Sequence, residues 1–410
     1  MIFFYILASM ATFLHPPILS RFLPDFVAFK ALGAICFVYA IFYWCSRSTA
    51  PRFLSSRQSH LLLLLYAIVF ASCLTGGNFL VFFIYTDFIF LLFVTVCVVD
   101  SLRRISWVLF SAVAGLAYGS VHVVLEWIHF RHIYSGYRAG LSVGDGNYFT
   151  TSAVLCLPFA LLAVLHGKRL WKRMFYGGCL AVSLLGVAVC ASRGGFLALA
   201  AAFLFLIART EHRVRNLLLI SVVVLPLALF LPISPLQRLL HPNRIDASNS
   251  HNRIMAWKAG ARMIADHPVL GVGVGNFKSL MPQYADKGTT TDTIAHNTYI
   301  EVAAELGLPS LLVFLAIPFF SYRSLEKARQ RAEIAGREFP YYAALGLQAG
   351  LVGYMVGAFF LSAEYQKLFW LAIMLSMCLP SLVRARRKRQ GAVPDADVTS
   401  IPLFAESPQS

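Results

Sequence analysis

The sequence predicts an all-α polytopic membrane protein with about twelve transmembrane helices and one large extramembrane loop. Three observations predict it. The 410 residues are 58% hydrophobic and 13% charged, with mean hydropathy +0.69, whereas a soluble domain carries about 25% charge. The apolar residues fall into runs of about 20, the length of a helix that crosses a bilayer core. The net charge of +16 gathers in the loops between alternate runs, as membrane orientation requires.

The runs lie near 2–16, 25–45, 60–75, 78–99, 105–129, 148–166, 174–191, 195–209, 216–233, 297–320, 341–362 and 367–383. Backbone groups cannot go unpaired in lipid, so each run reads as a helix. The first follows Met1-Ile2-Phe3-Phe4 without a basic region and reads as a retained span, not a cleaved signal. The stretch 174–209 is broken only by Ser192-Arg193-Gly194-Gly195. One alternating set of loops holds Arg47, Arg52 and Arg57, then Arg103 and Arg104, then Lys168 to Arg173, then Arg209 to Arg215. The loop 323–337 and the run Arg384–Arg389 complete it. The positive-inside rule then puts both termini in the cytoplasm. This arrangement explains the basic balance, so nucleic acid is not an expected partner. The eight cysteines lie in or beside apolar runs without a CxxC pair and read as small buried hydrophobes. The organisation is therefore 1–233 for helices one to nine, 234–296 for the large loop, and 297–389 for helices ten to twelve with a basic end. The tail 390–410, with Pro394, Pro402 and Pro408, reads as disordered.

Residues 234–296 are polar, external and too long for a simple connection. Asn249-Ser250 are placed to cap a helix, and Ile254, Trp257, Ala261 and Ile264 recur at helical spacing. Asp266-His267-Pro268 ends that helix. Gly271-Val272-Gly273-Val274-Gly275-Asn276-Phe277 reads as a turn, and a second short helix is expected over 277–285. The loop is thus folded, amphipathic and expected on the membrane face.

Several polar residues beside these spans are candidates for chemistry. Arg193, flanked by glycines between two apolar runs, is either a functional cation in an expensive position or a turn residue that snorkels to headgroups. Arg253 precedes Trp257 by one helical turn and could grip a phosphate or diphosphate, or simply touch anionic lipid. Arg262, Lys258 and Arg244 are weaker versions of that idea. His296, at the mouth of the next span, could accept a proton or serve as a polar end residue. Asp292, Glu301 and Glu305 could orient it, pair with an arginine, or hold helices together. Asp145-Gly146-Asn147-Tyr148 opens the sixth span, with Asp145 as an N-cap. The spacing Gly271-x-Gly273-x-Gly275 is not a dinucleotide fingerprint, and no metalloprotease, nucleophile-elbow, phosphate-loop or metal-ligand pattern is present.

At these residues the chain resembles the O-antigen ligase (WaaL) family, within the superfamily that also holds the Wzy-type polysaccharide polymerases. Three blocks within roughly residues 140–320 carry the resemblance. They are Ala191-Ser192-Arg193-Gly194-Gly195, the stretch from Ser250-His251-Asn252-Arg253 through Trp257 to Asp266-His267-Pro268 and Asn276-Phe277, and His296-Asn297-Thr298-Tyr299 followed by Glu305-Leu306-Gly307. Asp145-Gly146-Asn147 is similar to a fourth family feature. The resemblance implies a GT-C-type glycosyltransferase of the bacterial inner membrane, with twelve helices and a large periplasmic loop carrying the active site. It implies transfer of a glycan from undecaprenyl diphosphate to a sugar hydroxyl, on lipid A–core for a ligase or on a growing chain for a polymerase, with inversion and without metal or other cofactor. By motif, His296 corresponds to the general base, and Arg193 and Arg253 to the groups that stabilise the diphosphate. Arg262, Asn297, Tyr299, Glu305, Trp257, Asp145 and Asn147 are then expected to bind substrate. A reading from a different class, a transporter or flippase, is compatible with Glu301, Glu305 and Glu364 in or near spans, but no half-repeat of the usual kind is present.

Overall fold

Every regular element is helical in the computed structural model, which describes residues 25–46, 55–134, 137–210, 244–286 and 293–390. In order these are α1 (Asp25–Cys45), α2 (Arg57–Leu74), α3 (Phe79–Val98), α4 (Leu102–Phe130), α5 (Gly146–His166), α6 (Leu170–Cys190), α7 (Arg193–Ala208), α8 (Arg244–Asp266), α9 (Phe277–Tyr284), α10 (Thr298–Leu306), α11 (Leu308–Ile334), α12 (Glu338–Gly357) and α13 (Lys367–Gln390). Single 3₁₀ turns cover Leu141–Val143 and Ala358–Phe360.

Among the described residues, seven helices are long and apolar enough to cross a membrane: α2 to α6, α11, and α12 with its following turn. Shorter apolar stretches are Gly33–Cys45 in α1, Arg193–Ala208 in α7 and Lys367–Val383 in α13. The chain is a multi-pass membrane protein. The expected spans 2–16 and 216–233 and the tail after Gln390 lie outside the described residues.

Side-chain caps set where the helices begin. Ser56, Asn78, Ser101, Asp145, Ser192 and Asn297 each accept a backbone N–H from the first turn that follows, which satisfies donors a helix cannot pair itself. Close packing around α12 then brings the helices together. Gly346 meets Phe159, Gly350 meets Leu155, and Gly353 and Gly357 meet Ala198, so added Cβ atoms would stand 2.6 to 3.2 Å from the nearest atoms of these neighbours, and one on Gly353 would stand 2.5 Å from the Val154 side chain. Small residues permit such approach where lipid supplies no hydrophobic drive between helices. The same closeness recurs at the start of α7, where Gly194 faces Phe360 and Gly195 faces Thr150. As a result, the first turns of α5 and α7 and the end of α12 sit side by side.

The structure corrects several boundaries. The expected span 297–320 is two helices, α10 and α11, separated at Gly307 with φ +83°. A Cβ there would lie 2.1 Å from the Val269 carbonyl oxygen. The basic stretch 323–337 is not a loop, because α11 continues to Ile334. The break in 174–209 is only Ala191 and Ser192, since Arg193, Gly194 and Gly195 belong to α7. Asn249 and Ser250 lie inside α8 and do not cap it. The buried stripe of α8 is Ala256, Ala259 and Met263, whereas Ile254 is 50% exposed and Ala261 is exposed. Cys45 is exposed, while the other seven cysteines are buried; all eight are free thiols.

Candidate active site

The large loop is fastened to α10 by the glycine turn. Gly271, Gly273 and Gly275 all have positive φ, which only glycine adopts without strain. Val272 N–H donates to Ala304 and Gly273 N–H to Glu305, while Leu308 N–H donates to Pro268. The buried Glu305 carboxylate accepts from Gly275 N–H at 2.8 Å and Phe277 N–H at 3.0 Å. A Cβ on Gly271 would meet the Glu305 carbonyl at 2.3 Å. The blocks 266–277 and 305–307 therefore form one latch. Glu305 is its central acceptor and does not orient a histidine.

That latch fixes the approach to His296. The Trp257 indole N–H donates to the Ala295 carbonyl at 2.8 Å, and the Trp257 ring packs edge-on against Phe359. Asn297 caps α10 by accepting from Tyr299 N–H and Ile300 N–H. His296, between these two anchors, has φ +48°. Ala191, just before Ser192-Arg193, has φ +49°. Among the described residues these two are the non-glycine positions with positive φ. Such conformations cost free energy and persist where the surroundings over-determine them, commonly at functional sites.

Arg193 and His296 line one cavity of about 230 Å³, together with Arg138, Arg253, Asn147 and Asn252. Among the described residues no carboxylate lines it. Arg253 donates to the Phe360 carbonyl at 3.2 Å, and Arg193 reaches Ser250 Oγ at 3.5 Å. Arg138 donates to the Cys190 carbonyl at 3.2 Å and to Asn147 Oδ1 at 3.3 Å. Three helices, α5, α7 and α10, begin at or beside this cavity. Helix N-termini carry partial positive charge and unpaired N–H groups, so they favour an anion.

The electrostatics separate the arginines from the histidine. Burial, then the neighbouring Arg193 charge, lowers the Arg253 pKa from its ordinary value. The His296 imidazole is lowered to about 4, first by burial and then by Arg253, with Asp145 acting in the opposite direction. Its Nδ1 is buried and makes no hydrogen bond among the described residues, so a charged ring would leave an N–H there without an acceptor among them. At neutral pH the site presents arginine cations beside a neutral imidazole. Such a pair can hold an anion and still accept a proton.

Residues 178–315 match the protein-family model described as O-antigen ligase. This segment is an O-antigen ligase family domain. It contains Arg193, Arg253 and His296, while Arg138 and Asn147 reach the ligase domain's cavity from outside the match. No curated protein matches the chain. The family chemistry is transfer of lipid-linked glycans.

Of the residues singled out from sequence, Arg193, Arg253, His296 and Asn147 line the cavity. Asp145 caps α5, accepting from Asn147 N–H at 2.7 Å. The Tyr299 hydroxyl donates to the Met355 carbonyl. Glu301 accepts from the Ser362 hydroxyl. Arg262 faces away, donating to the Tyr284 carbonyl and pairing with Asp286, both at 2.6 Å. Asp292 lies outside the described residues. Arg138 joins the cavity as a further cation, and its sequence signal, an arginine in a short connection between apolar runs, is the one Arg193 carries. Asn252 was read only as part of the loop block.

Proposed function

We propose that the chain is an O-antigen ligase that transfers a glycan from undecaprenyl diphosphate to a sugar hydroxyl of lipid A–core oligosaccharide, at a periplasmic site in the bacterial inner membrane. The observation that carries this reading is the convergence of Arg138, Arg193 and Arg253 with a neutral His296 on one cavity. The donor is already activated, so no nucleotide is needed in a compartment without ATP. The acceptor oxygen attacks the anomeric carbon as the bond to the diphosphate oxygen breaks, and the electron pair leaves with the diphosphate. A direct displacement inverts that carbon. The arginines and the helix N-termini stabilise the growing negative charge, and His296 takes the hydroxyl proton. Donor binding itself tunes the base. The diphosphate offsets the Arg253 charge that depresses His296, so the imidazole becomes more basic once the donor is in place.

Purified protein mixed with lipid-linked donor and lipid A–core tests the reading. Ligated product without ATP or an ion gradient supports it; donor movement without covalent product supports a transporter instead. In cells, a lipopolysaccharide gel of a deletion strain distinguishes the superfamily's two activities. Loss of all polymer from lipid A–core marks a ligase, and retention of single repeats marks a polymerase. Activity that collapses with a chelator and returns with Mg²⁺ would contradict the metal-free mechanism.

A further inference from the structure

A second basic cavity lies at the other end of the bundle. The start of α7 lines the arginine cavity, and its far end, at Arg209, meets Glu326 and Tyr322 of α11, about 24 Å away along the helix. Beyond that level a cavity of about 880 Å³ opens between the beginning of α2, the second half of α11 and the second half of α13. Its size is that of a small-molecule site, about 300–1,000 Å³. Arg57, Arg323, Lys327 and Arg331 line it, and among the described residues no carboxylate does.

The two faces of α11 differ. On one face Glu326 pairs with Arg329 at 2.9 Å and with Arg209 at 3.6 Å, and Arg329 also pairs with Glu333 at 3.2 Å. On the other, Arg323, Lys327 and Arg331 recur at every fourth residue, all exposed. Like charges at that spacing repel one another. Among the described residues none of these three, nor Arg57, is paired with a carboxylate. The stripe extends about 12 Å along the helix, more than one phosphate group bridges. The cavity wall also carries apolar surface. Phe319 is 57% exposed, Arg57 stacks over Phe320, and Met377 lies beside them.

We propose that this cavity binds an anionic phospholipid whose headgroup carries two phosphates, of the diphosphatidylglycerol class. The cation stripe and Arg57 would hold the phosphates, and the Phe319–Phe320–Met377 surface would hold the start of the acyl chains. Basic pockets between helices at the cytoplasmic surface bind such headgroups, and the positive-inside pattern assigns this end to the cytoplasm. Every residue lining the site lies outside residues 178–315, and the proposal does not rest on glycan transfer.

The test uses the full chain, purified and delipidated in detergent. Native mass spectrometry and thermal unfolding are read with diphosphatidylglycerol, phosphatidylglycerol, phosphatidylethanolamine and the deacylated diphosphate headgroup. One diphosphatidylglycerol should be retained per chain and should raise Tm. Arg323→Gln/Lys327→Gln/Arg331→Gln should weaken its binding by about a hundredfold, while Lys168→Gln/Lys172→Gln, around the start of α6, should leave it unchanged. Should the triple variant unfold, Lys327→Gln alone should weaken binding by about fivefold. Equal loss in the Lys168/Lys172 variant would mean bulk charge attraction and overturn the proposal. So would equally tight binding of the deacylated headgroup, which would identify a soluble anion as the ligand, or no lipid retained by the unmodified chain.

Discussion

The two basic cavities, at opposite ends of the bundle, differ in what accompanies the charge. The smaller one gathers Arg138, Arg193 and Arg253 around a histidine, and three helices begin there. The larger one has four cations, an aromatic wall and no histidine. Both can hold phosphate. Only the first has a group that can accept a proton beside the anion, and that group sits on a strained backbone, held by Trp257 from one side and by the α10 cap from the other. In the proposed reading, positive charge alone suits an anion site, and a neutral imidazole beside it suits a reacting one.

The largest expected effect removes that distinction. His296→Ala should lower transfer by about 10²- to 10⁴-fold with the protein still folded and still able to bind donor, measured by product formation and donor retention on the same preparation. Near-normal transfer would remove His296 as the base. The pH profile tests the same assignment. Because the His296 pKa stands at about 4, below its unfolded value, kcat/KM should be flat at neutral pH and fall only as the pH drops through about 4. The limb of kcat should lie at higher pH, since bound diphosphate offsets Arg253. Stability follows the same sign. The native state binds this proton less readily than the unfolded chain, so the contribution of His296 is fully present above about 6.5 and is lost as pH falls toward 4.

Next are the arginines. Arg193→Ala should cost about 10²- to 10³-fold in kcat, in the range for removing a donor from a developing anion. Arg193→Lys should regain only part, because a lysine lacks the planar fork. Arg138→Ala should fall in the same class even though it lies outside the matched domain. If Arg138→Ala leaves transfer unchanged, its bonds to Cys190 and Asn147 are structural, and the reacting cavity relies on two arginines.

A smaller effect is expected from the latch. Glu305→Gln keeps one acceptor but sets an amide against a backbone N–H of the turn, which costs about 1–3 kcal/mol. The glycine turn should then exchange amide hydrogens faster, and transfer should fall by less than for His296→Ala. An unchanged turn in hydrogen exchange would separate Glu305 from the positioning of the site.

These contrasts show what the sequence could and could not convey. The described helical spans were legible because a bilayer demands long apolar runs, and the Asp145 cap because a carboxylate stands at a helix start, whereas the cap expected at Asn249-Ser250 falls inside α8. The division at Gly307 was not, since one glycine inside an apolar run changes neither composition nor period. The roles of Glu305, Asn297 and Tyr299 were not legible either. Their motif positions suggested substrate contact, but their partners are backbone groups up to 56 residues away. Arg138 carries the same sequence signal as Arg193, an arginine between apolar runs.

The smallest expected effect concerns Arg262. Arg253 and Arg262 share α8 and looked equivalent as external cations on an amphipathic helix. They are nine residues apart, and at about 100° per residue that spacing puts them on opposite sides of the helix. The structure agrees. Arg253 turns into the arginine cavity, whereas Arg262 pairs at the surface with Asp286, whose carboxyl it holds below the ordinary value. An exposed pair of this kind contributes little. Arg262→Ala should therefore change transfer by less than about twofold, measured beside Arg253→Ala on the same substrates. If instead the two variants fail together, the cavity would have to extend around the far side of α8, and the separation between a reacting face and a solvated face of that helix would be lost.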